Sequence, residues 1–280
     1  MVRRESRRWE REGEPSLAQR SETGLTMRID LNSDMGESFG AWSMGDDAAM
    51  LSIISSANVA CGWHAGDHNV MFATCELAKK NGVAVGAHPS FNDREGFGRR
   101  IIRGDSMAEI ERMIGYQIGA LQALATMAGH KVTHVKAHGS LGNLTNDEDG
   151  FAYAVGNATK AVDPNLILVT MPGRNTEKIA AELKLKPARE FFADRTYDDH
   201  GQLTSRKIAG SVIHDATAAA ERVIRTLAEG AVLTTGGKKF PLQVDTICVH
   251  SDTPASVKMA AAIRTRLERE GYKIQPFSEA

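Results

Sequence analysis

Carboxylates, imidazoles and an ammonium group recur in this 280-residue chain in short clusters, each following an apolar run. The clusters are Asn32-Ser-Asp34-Met-Gly36-Glu37, Asn58-Val-Ala-Cys61-Gly62-Trp63-His64, Gly86-Ala-His88, Lys136-Ala-His138, Phe192-Ala-Asp194-Arg195 and His250-Ser-Asp252. Five of the nine histidines, His64, His68, His88, His138 and His250, fall in or beside them. Carboxylates and imidazoles together can move protons or hold a metal ion, while lysine and arginine can stabilise an oxyanion or clasp a carboxylate. Neighbouring glycines let the backbone come close to a ligand. Taken singly, Asn32, Asp34 and Glu37 would serve equally as helix or turn caps, and a lone histidine as a core residue. Lys136 is different, because an ammonium inside an apolar strand needs a carboxylate partner, for which Asp34 or Asp194 is the candidate. Cys61 reads as a small packed side chain.

The apolar runs read as strands: Arg28 to Leu31, Ser56 to Cys61, Val83 to Ala87, Val132 to Ala137, Leu166 to Thr170, Ala188 to Phe192 and Asp245 to Val249, with Tyr272 to Gln275 as a weaker eighth. Between them lie helical segments at Val70–Lys80, Ser106–Ala128, Gly150–Val162, Thr176–Leu183, Ala216–Glu229 and Pro254–Glu270. In Ser106–Ala128, Ser106 and Glu109 have capping-box spacing ahead of the stripe Ile110, Met113, Ile114, Gln117, Ile118, Leu121 and Leu124. Such alternation predicts an α/β fold, a single (β/α) barrel of seven or eight strands over residues 27–280, with a doubly wound open sheet as the runner-up. In either fold the loops after the strands converge on one face, and the six clusters sit at those exits.

Hydrophobic residues make up 42% of the chain, enough for a large core, and the net charge of −1 gives no general attraction to nucleic acid. The three cysteines form no paired motif, no run is long enough for a membrane span, and no secretory leader is visible, so a cytoplasmic location is expected. Residues 1–26 are rich in Arg and Glu and poor in periodic apolar positions, and are expected to be a disordered or mis-started extension before Met27. Neither a phosphate-binding P-loop nor a Gly-rich dinucleotide fingerprint is present; Gly236-Gly-Lys-Lys239 lacks the required spacing. Asn92 to Arg100 is a Gly-interrupted basic loop suited to folding over an anion.

Five longer motifs carry a resemblance: D-L-N-S-D-M-G-E-S-F-G from Asp30, A-N-V-A-C-G-W-H-A-G-D from Ala57, G-A-H-P-S from Gly86, G-F-G-R-R from Gly96 and F-A-D-R-T-Y from Phe192. In this order, from about Met27 to Ser278, they resemble the lactam-utilisation (LamB/YcsF) family, which supplies the A subunit of bacterial ATP-dependent 5-oxoprolinase. The resemblance implies a barrel related to those of glycoside hydrolases and polysaccharide deacetylases. It also implies a hydrolase that opens the cyclic amide 5-oxo-L-proline to L-glutamate at the expense of ATP, with the nucleotide bound by or with two partner subunits. Where the family usually reads K-P-H-G-A-L-Y-N, this chain has Ala137 and Gly142 in place of the Pro and the Tyr. On this basis Asp34 or Glu37, with His64 or His88, activates water, and Lys136 and His138 polarise the carbonyl. Asp194 orients Lys136, and Arg99 or Arg195 holds the substrate carboxylate. Asn32, Asn58, His250 and Asp252 complete the expected substrate contacts. Metal content and self-association stay open. Two other readings are a metal-dependent deacetylase or amidase using the same side chains, and a noncatalytic scaffold for the partners.

Overall fold

The computed structural model describes residues 27–251 and 255–279, so the expectations for residues 1–26, Asp252 and Pro254 fall outside the described residues. In chain order the strands are β1 (Met27–Met35), β2 (Ser56–Ala60), β3 (Ala84–His88), β4 (Val132–Val135), β5 (Ile167–Thr170), β6 (Pro187–Phe192), β7 (Ala231–Leu233), β8 (Lys239–Pro241), β9 (Thr246–Cys248) and β10 (Tyr272–Ile274). β1 to β6 pair in sequence, all parallel, and β9 pairs with both β6 and β1, closing a seven-strand barrel. The weak eighth strand, β10, lies beside the start of β1 at Met27–Ile29 and stays outside the ring. The single closed barrel is thus the fold, and the open sheet is excluded by the β1–β9 pairing.

The helices are α1 (Asp47–Leu51), α2 (His68–Asn81), α3 (Met107–Met127), α4 (Gly139–Asp147), α5 (Asp149–Val162), α6 (Asn175–Glu182), α7 (Ala216–Glu229) and α8 (Ser256–Arg269). α3 begins with the Ser106–Glu109 capping box in both directions and buries Ile110, Ile114, Ile118 and Leu121. Gln117, on the same stripe, reaches the strand layer: its Oε1 accepts from Ser90 N at 3.0 Å and its Nε2 donates to Ser90 O at 2.9 Å. α1, α4 and the antiparallel β7–β8 pair are absent from the sequence reading, since segments of three to nine residues carry too little period to register. Gly236, Gly237 and Lys238 lie in the turn between β7 and β8, with Gly237 at φ +80° and Lys239 opening β8.

β1 runs four residues beyond its apolar stretch because its polar side chains point into the barrel. Asp30, Asn32 and Asp34, spaced by two, alternate with Leu31, Ser33 and Met35, and all six are buried. Barrel interiors of this kind are usually filled by branched apolar residues. Here Asn32, Asn58 and His134 fill the middle instead, and Gly86 makes room, since a Cβ there would lie 2.1 Å from the His134 ring. No helix among the described residues is long and apolar enough to cross a membrane.

Candidate active site

The carboxyl ends of the strands open into a cavity of about 620 Å³. Asp34, Glu37, His88, Lys136, His138 and Arg195 line it, joined by Arg99 and His250. At its floor Lys136 Nζ lies 2.9 Å from Asp34 Oδ1 and 2.8 Å from Glu190 Oε1, with Cys248 Sγ at 3.2 Å. Burial works against the Lys136 charge, but Asp34, Cys248 and Glu190 outweigh it, and the ammonium is held well above its ordinary range. Burial likewise pushes the Asp34 carboxyl up, and His88 and Lys136 override that push and hold it well below the carboxylate range. The pair is therefore ionic, buried and aimed at the cavity.

Three imidazoles stand beside it. His88 Nε2 is 3.4 Å from Asp34 Oδ2 and 3.0 Å from His138 Nδ1, while its Nδ1 faces the Lys136 carbonyl at 2.7 Å. His138 Nε2 faces the Phe97 carbonyl at 2.8 Å. His64 stacks on His138 with ring centroids 3.7 Å apart, and its Nδ1 meets Ser90 Oγ at 3.0 Å. Burial, followed by the neighbouring imidazoles, drives His64 well below the ordinary histidine range, and burial and His88 push His138 down to about 3. Glu37 Oε1 approaches His64 Nε2 at 3.4 Å and His138 Nδ1 at 3.9 Å. One donor atom from each of Glu37, His64, His88 and His138 lies within 4.8 Å of the others, a set able to hold a metal ion.

The loop expected to close on an anion with its arginines does something else. Asp93 accepts from Gly96 N, Arg100 N and Arg100 Nε, which pins Arg100 at the rim. Phe97, at φ +54°, turns its ring edge-on to His64 and His138, and of the loop's three arginines Arg99 reaches the cavity, while Arg94 donates to the Gly62 carbonyl at 2.8 Å. Gly98 permits this: at φ +64° it passes so close that a Cβ would lie 2.7 Å from His138 and 2.9 Å from His64.

Other expected placements need correction. Asn32 and Asn58 do not face the cavity. Asn58 Nδ2 donates to Asn32 Oδ1 at 2.8 Å and to Asp34 Oδ1 at 3.0 Å, so the two amides hold the carboxylate from below. Asp194 does not orient Lys136; it accepts from His250 Nδ1 at 2.6 Å, and the place beside Lys136 belongs to Glu190. His68 is exposed in the first turn of α2, outside the cluster. Arg195 is buried, donates to the Thr204 carbonyl at 2.6 Å, and keeps its Nε without a hydrogen-bond partner among the described residues. Sequence reasoning misses Glu190 and Cys248. A glutamate within Pro-Ala-Arg-Glu-Phe-Phe, at a position buried by strand alternation, is the available signal for a partner to Lys136.

Residues 29–280 match the LamB/YcsF family over nearly all the described structure. The chain belongs to that family. It is 52% identical over 252 residues to the 5-oxoprolinase A subunit of Rhodopseudomonas palustris, covering 90% of this chain and 99% of that protein. To the 5-oxoprolinase A subunit of Gluconobacter oxydans it is 49% identical over 250 residues, with 89% and 98% covered. Among solved structures, the lactam utilization protein of Thermus thermophilus superposes with a TM-score of 0.84 at 40% identity, covering 89% of this chain and 99% of that one. A putative cellobiose-phosphate cleavage protein from Enterococcus faecalis shares the fold, with a TM-score of 0.54 at 10% identity over 91% and 99% of the two chains. Of the motifs that carry the resemblance, Asp30–Gly40 supplies Asp34 and Glu37 to the cavity and Gly86–Ser90 supplies His88, while Ala57–Asp67 places His64 against His138.

Proposed function

We propose that residues 27–280 are the catalytic domain of a cytoplasmic 5-oxoprolinase, a hydrolase that opens the lactam of 5-oxo-L-proline to L-glutamate with ATP cleavage. Two partner subunits bind the nucleotide and activate the ring. The observation that carries this reading is the buried run Lys136–Asp34–His88–His138 along the cavity of a chain whose near-full-length relatives are named as the A subunit of 5-oxoprolinase.

Ring opening needs a proton taken from water, a cation over the tetrahedral oxyanion and a proton given to the departing nitrogen. Asp34, kept ionised by His88 and Lys136, accepts the proton of the attacking water, with Glu37 as the second carboxylate within reach of the imidazoles. The Lys136 ammonium, dry and fixed between Asp34 and Glu190, faces the oxyanion. A positioned donor of this kind is worth on the order of 3 kcal/mol in the barrier. The hydrogen-bonded His88–His138 pair carries a proton to the ring nitrogen, and Arg195, with Arg99 across the cavity, receives the substrate carboxylate. An unactivated five-membered amide is a poor electrophile, which is why the reaction is coupled to ATP although this sequence has no P-loop.

The test is 5-oxoproline-dependent ATP cleavage and glutamate release, measured with the chain alone and with its two partners. Both activities should require the partners. Robust glutamate release by the lone chain without ATP would select a second reading, a metal-dependent amidase, which the Glu37, His64, His88 and His138 donors favour.

A further inference from the structure

The hydrogen bonds around the three imidazoles fix where their protons are. A carbonyl only accepts, so His88 Nδ1 must carry the proton that meets Lys136 O at 2.7 Å, and His138 Nε2 the proton that meets Phe97 O at 2.8 Å. Ser90 Oγ gives its own proton to the Phe91 carbonyl at 2.8 Å, so His64 Nδ1 must donate to that oxygen. Each ring therefore turns its other nitrogen inward. His64 Nε2, His88 Nε2 and His138 Nδ1 converge on the Glu37 carboxylate, all four groups buried.

One proton shared between His88 and His138, 3.0 Å apart, would satisfy those two nitrogens but not His64 Nε2, which is buried and makes no hydrogen bond among the described residues. One cation satisfies all three. Three of the six separations, 3.0, 3.4 and 3.9 Å, bracket the edge of roughly 3.3 Å that a tetrahedron built on metal–nitrogen bonds of about 2.0–2.1 Å would have, and all six lie within 4.8 Å. Histidines that bind metal characteristically have the other ring N–H held by a carbonyl or similar acceptor, the arrangement present here three times.

We infer that Glu37, His64, His88 and His138 bind one divalent first-row transition-metal ion, of the class that imidazole with a carboxylate selects, such as Zn2+. Because His64 and His138 stack with planes 5° apart, joint ligation turns one of the rings out of the stack. An ion at this point would lie beside Asp34 and could make hydroxide available near neutral pH. The inference goes beyond the ring-opening reading: with the ion bound, His88 and His138 hold it in place of carrying a proton, whichever amide is opened.

The full chain, stripped by a chelator and dialysed, is titrated with Co2+ followed by visible absorption, and with Zn2+ followed by metal content after equilibrium dialysis. One ion per chain is expected, with an absorption pattern of nitrogen and oxygen ligands and no thiolate charge-transfer band. His64→Gln and His138→Gln should weaken binding by on the order of 100-fold or more, and Ser90→Ala by about 10-fold, the range for loss of an outer partner. Thermal melting of each variant without metal confirms that it is folded. A folded wild-type chain that takes up neither ion at large excess overturns the inference, as does undiminished binding by folded His64→Gln and His138→Gln chains. Turnover is not read at any step, so a failure here is separable from a failure of the ring-opening reading.

Discussion

The lower and upper parts of the barrel interior are both lined with hydrogen-bonding side chains, yet they are finished differently. In the lower part Asp30 accepts from Ser55, Ser56 and Thr246, and Asn32 donates to Thr246, so the carboxylate is enclosed by hydroxyls with no cation among these contacts. In the upper part the carboxylates Asp34 and Glu190 meet an ammonium, while His64 Nε2, Asp194 Oδ1 and Arg195 Nε have no hydrogen-bond partner among the described residues. Buried polar atoms are normally paired, so an unpaired Nε on Arg195, which lines the cavity, makes a ligand the expected complement there. On the function proposed above, the lower layer is a structural network and the upper one bears the chemistry. Polar residues inside a strand do not by themselves distinguish the two.

Removing Lys136 should produce the largest effect. Lys136→Met should lower 5-oxoproline-dependent turnover by about 100-fold or more, as expected for losing an aimed charge worth on the order of 3 kcal/mol. It also leaves Asp34 and Glu190 buried without their cation, a situation that costs about 3–5 kcal/mol when one partner of a buried pair is removed. Melting should therefore fall with activity in Lys136→Met. In the double variant Lys136→Met with Glu190→Gln, stability should recover in part while turnover stays lost. Recovery of both would make the upper layer as structural as the lower.

Asp30 sharpens the contrast through pH. Burial raises its carboxyl from 3.8 to about 6, with the hydroxyl donors pulling the other way. A raised folded-state value means that the fold is favoured most below the unfolded value of 3.8 and loses stability as pH rises towards about 6. A shift of this size corresponds to roughly 3 kcal/mol. Denaturant unfolding between pH 4 and pH 7 should show this slope in the wild-type chain and a flatter one in Asp30→Asn. Turnover at neutral pH should change little. A large loss of activity with intact folding would place Asp30 with the upper layer.

Gly98→Ala tests the loop that covers the histidines. A side chain at φ +64°, directed at His138 and His64, should cost about 1–2 kcal/mol and displace Phe97, with a loss of turnover of about 10-fold from misplaced rings. The smallest effect is expected at Cys61, whose thiol burial pushes up to about 12: Cys61→Ala should lower stability by about 1 kcal/mol and leave turnover unchanged, as read by melting and assay.

The strand exits were legible in the sequence because functional residues there interrupt apolar runs, and Asp34, His88, Lys136 and His138 do come together in one cavity. The partners were not legible. Lys136 and Glu190 lie 54 positions apart, and it is the pairing of β5 with both β4 and β6 that brings the residue after β4 and the glutamate on β6 within 2.8 Å. Asn32 and Asn58 looked like ligand contacts because they belong to the same polar clusters as Asp34 and His64. The β1–β2 register sets Asp34 level with Asn58 and turns both amides inward below it. The arginine loop misled for a local reason: Asp93, in the same loop, captures Arg100 before any ligand could.

The most direct test is glutamate formation from 5-oxoproline and ATP by the assembled complex carrying Asp34→Asn in this chain. Asparagine keeps the shape and a hydrogen-bonding oxygen but cannot take a proton from water. If this site opens the ring, a folded Asp34→Asn chain should still associate with its partners while glutamate formation falls by about 100-fold or more. Glutamate formation at the wild-type rate by that folded, assembled variant would contradict the account.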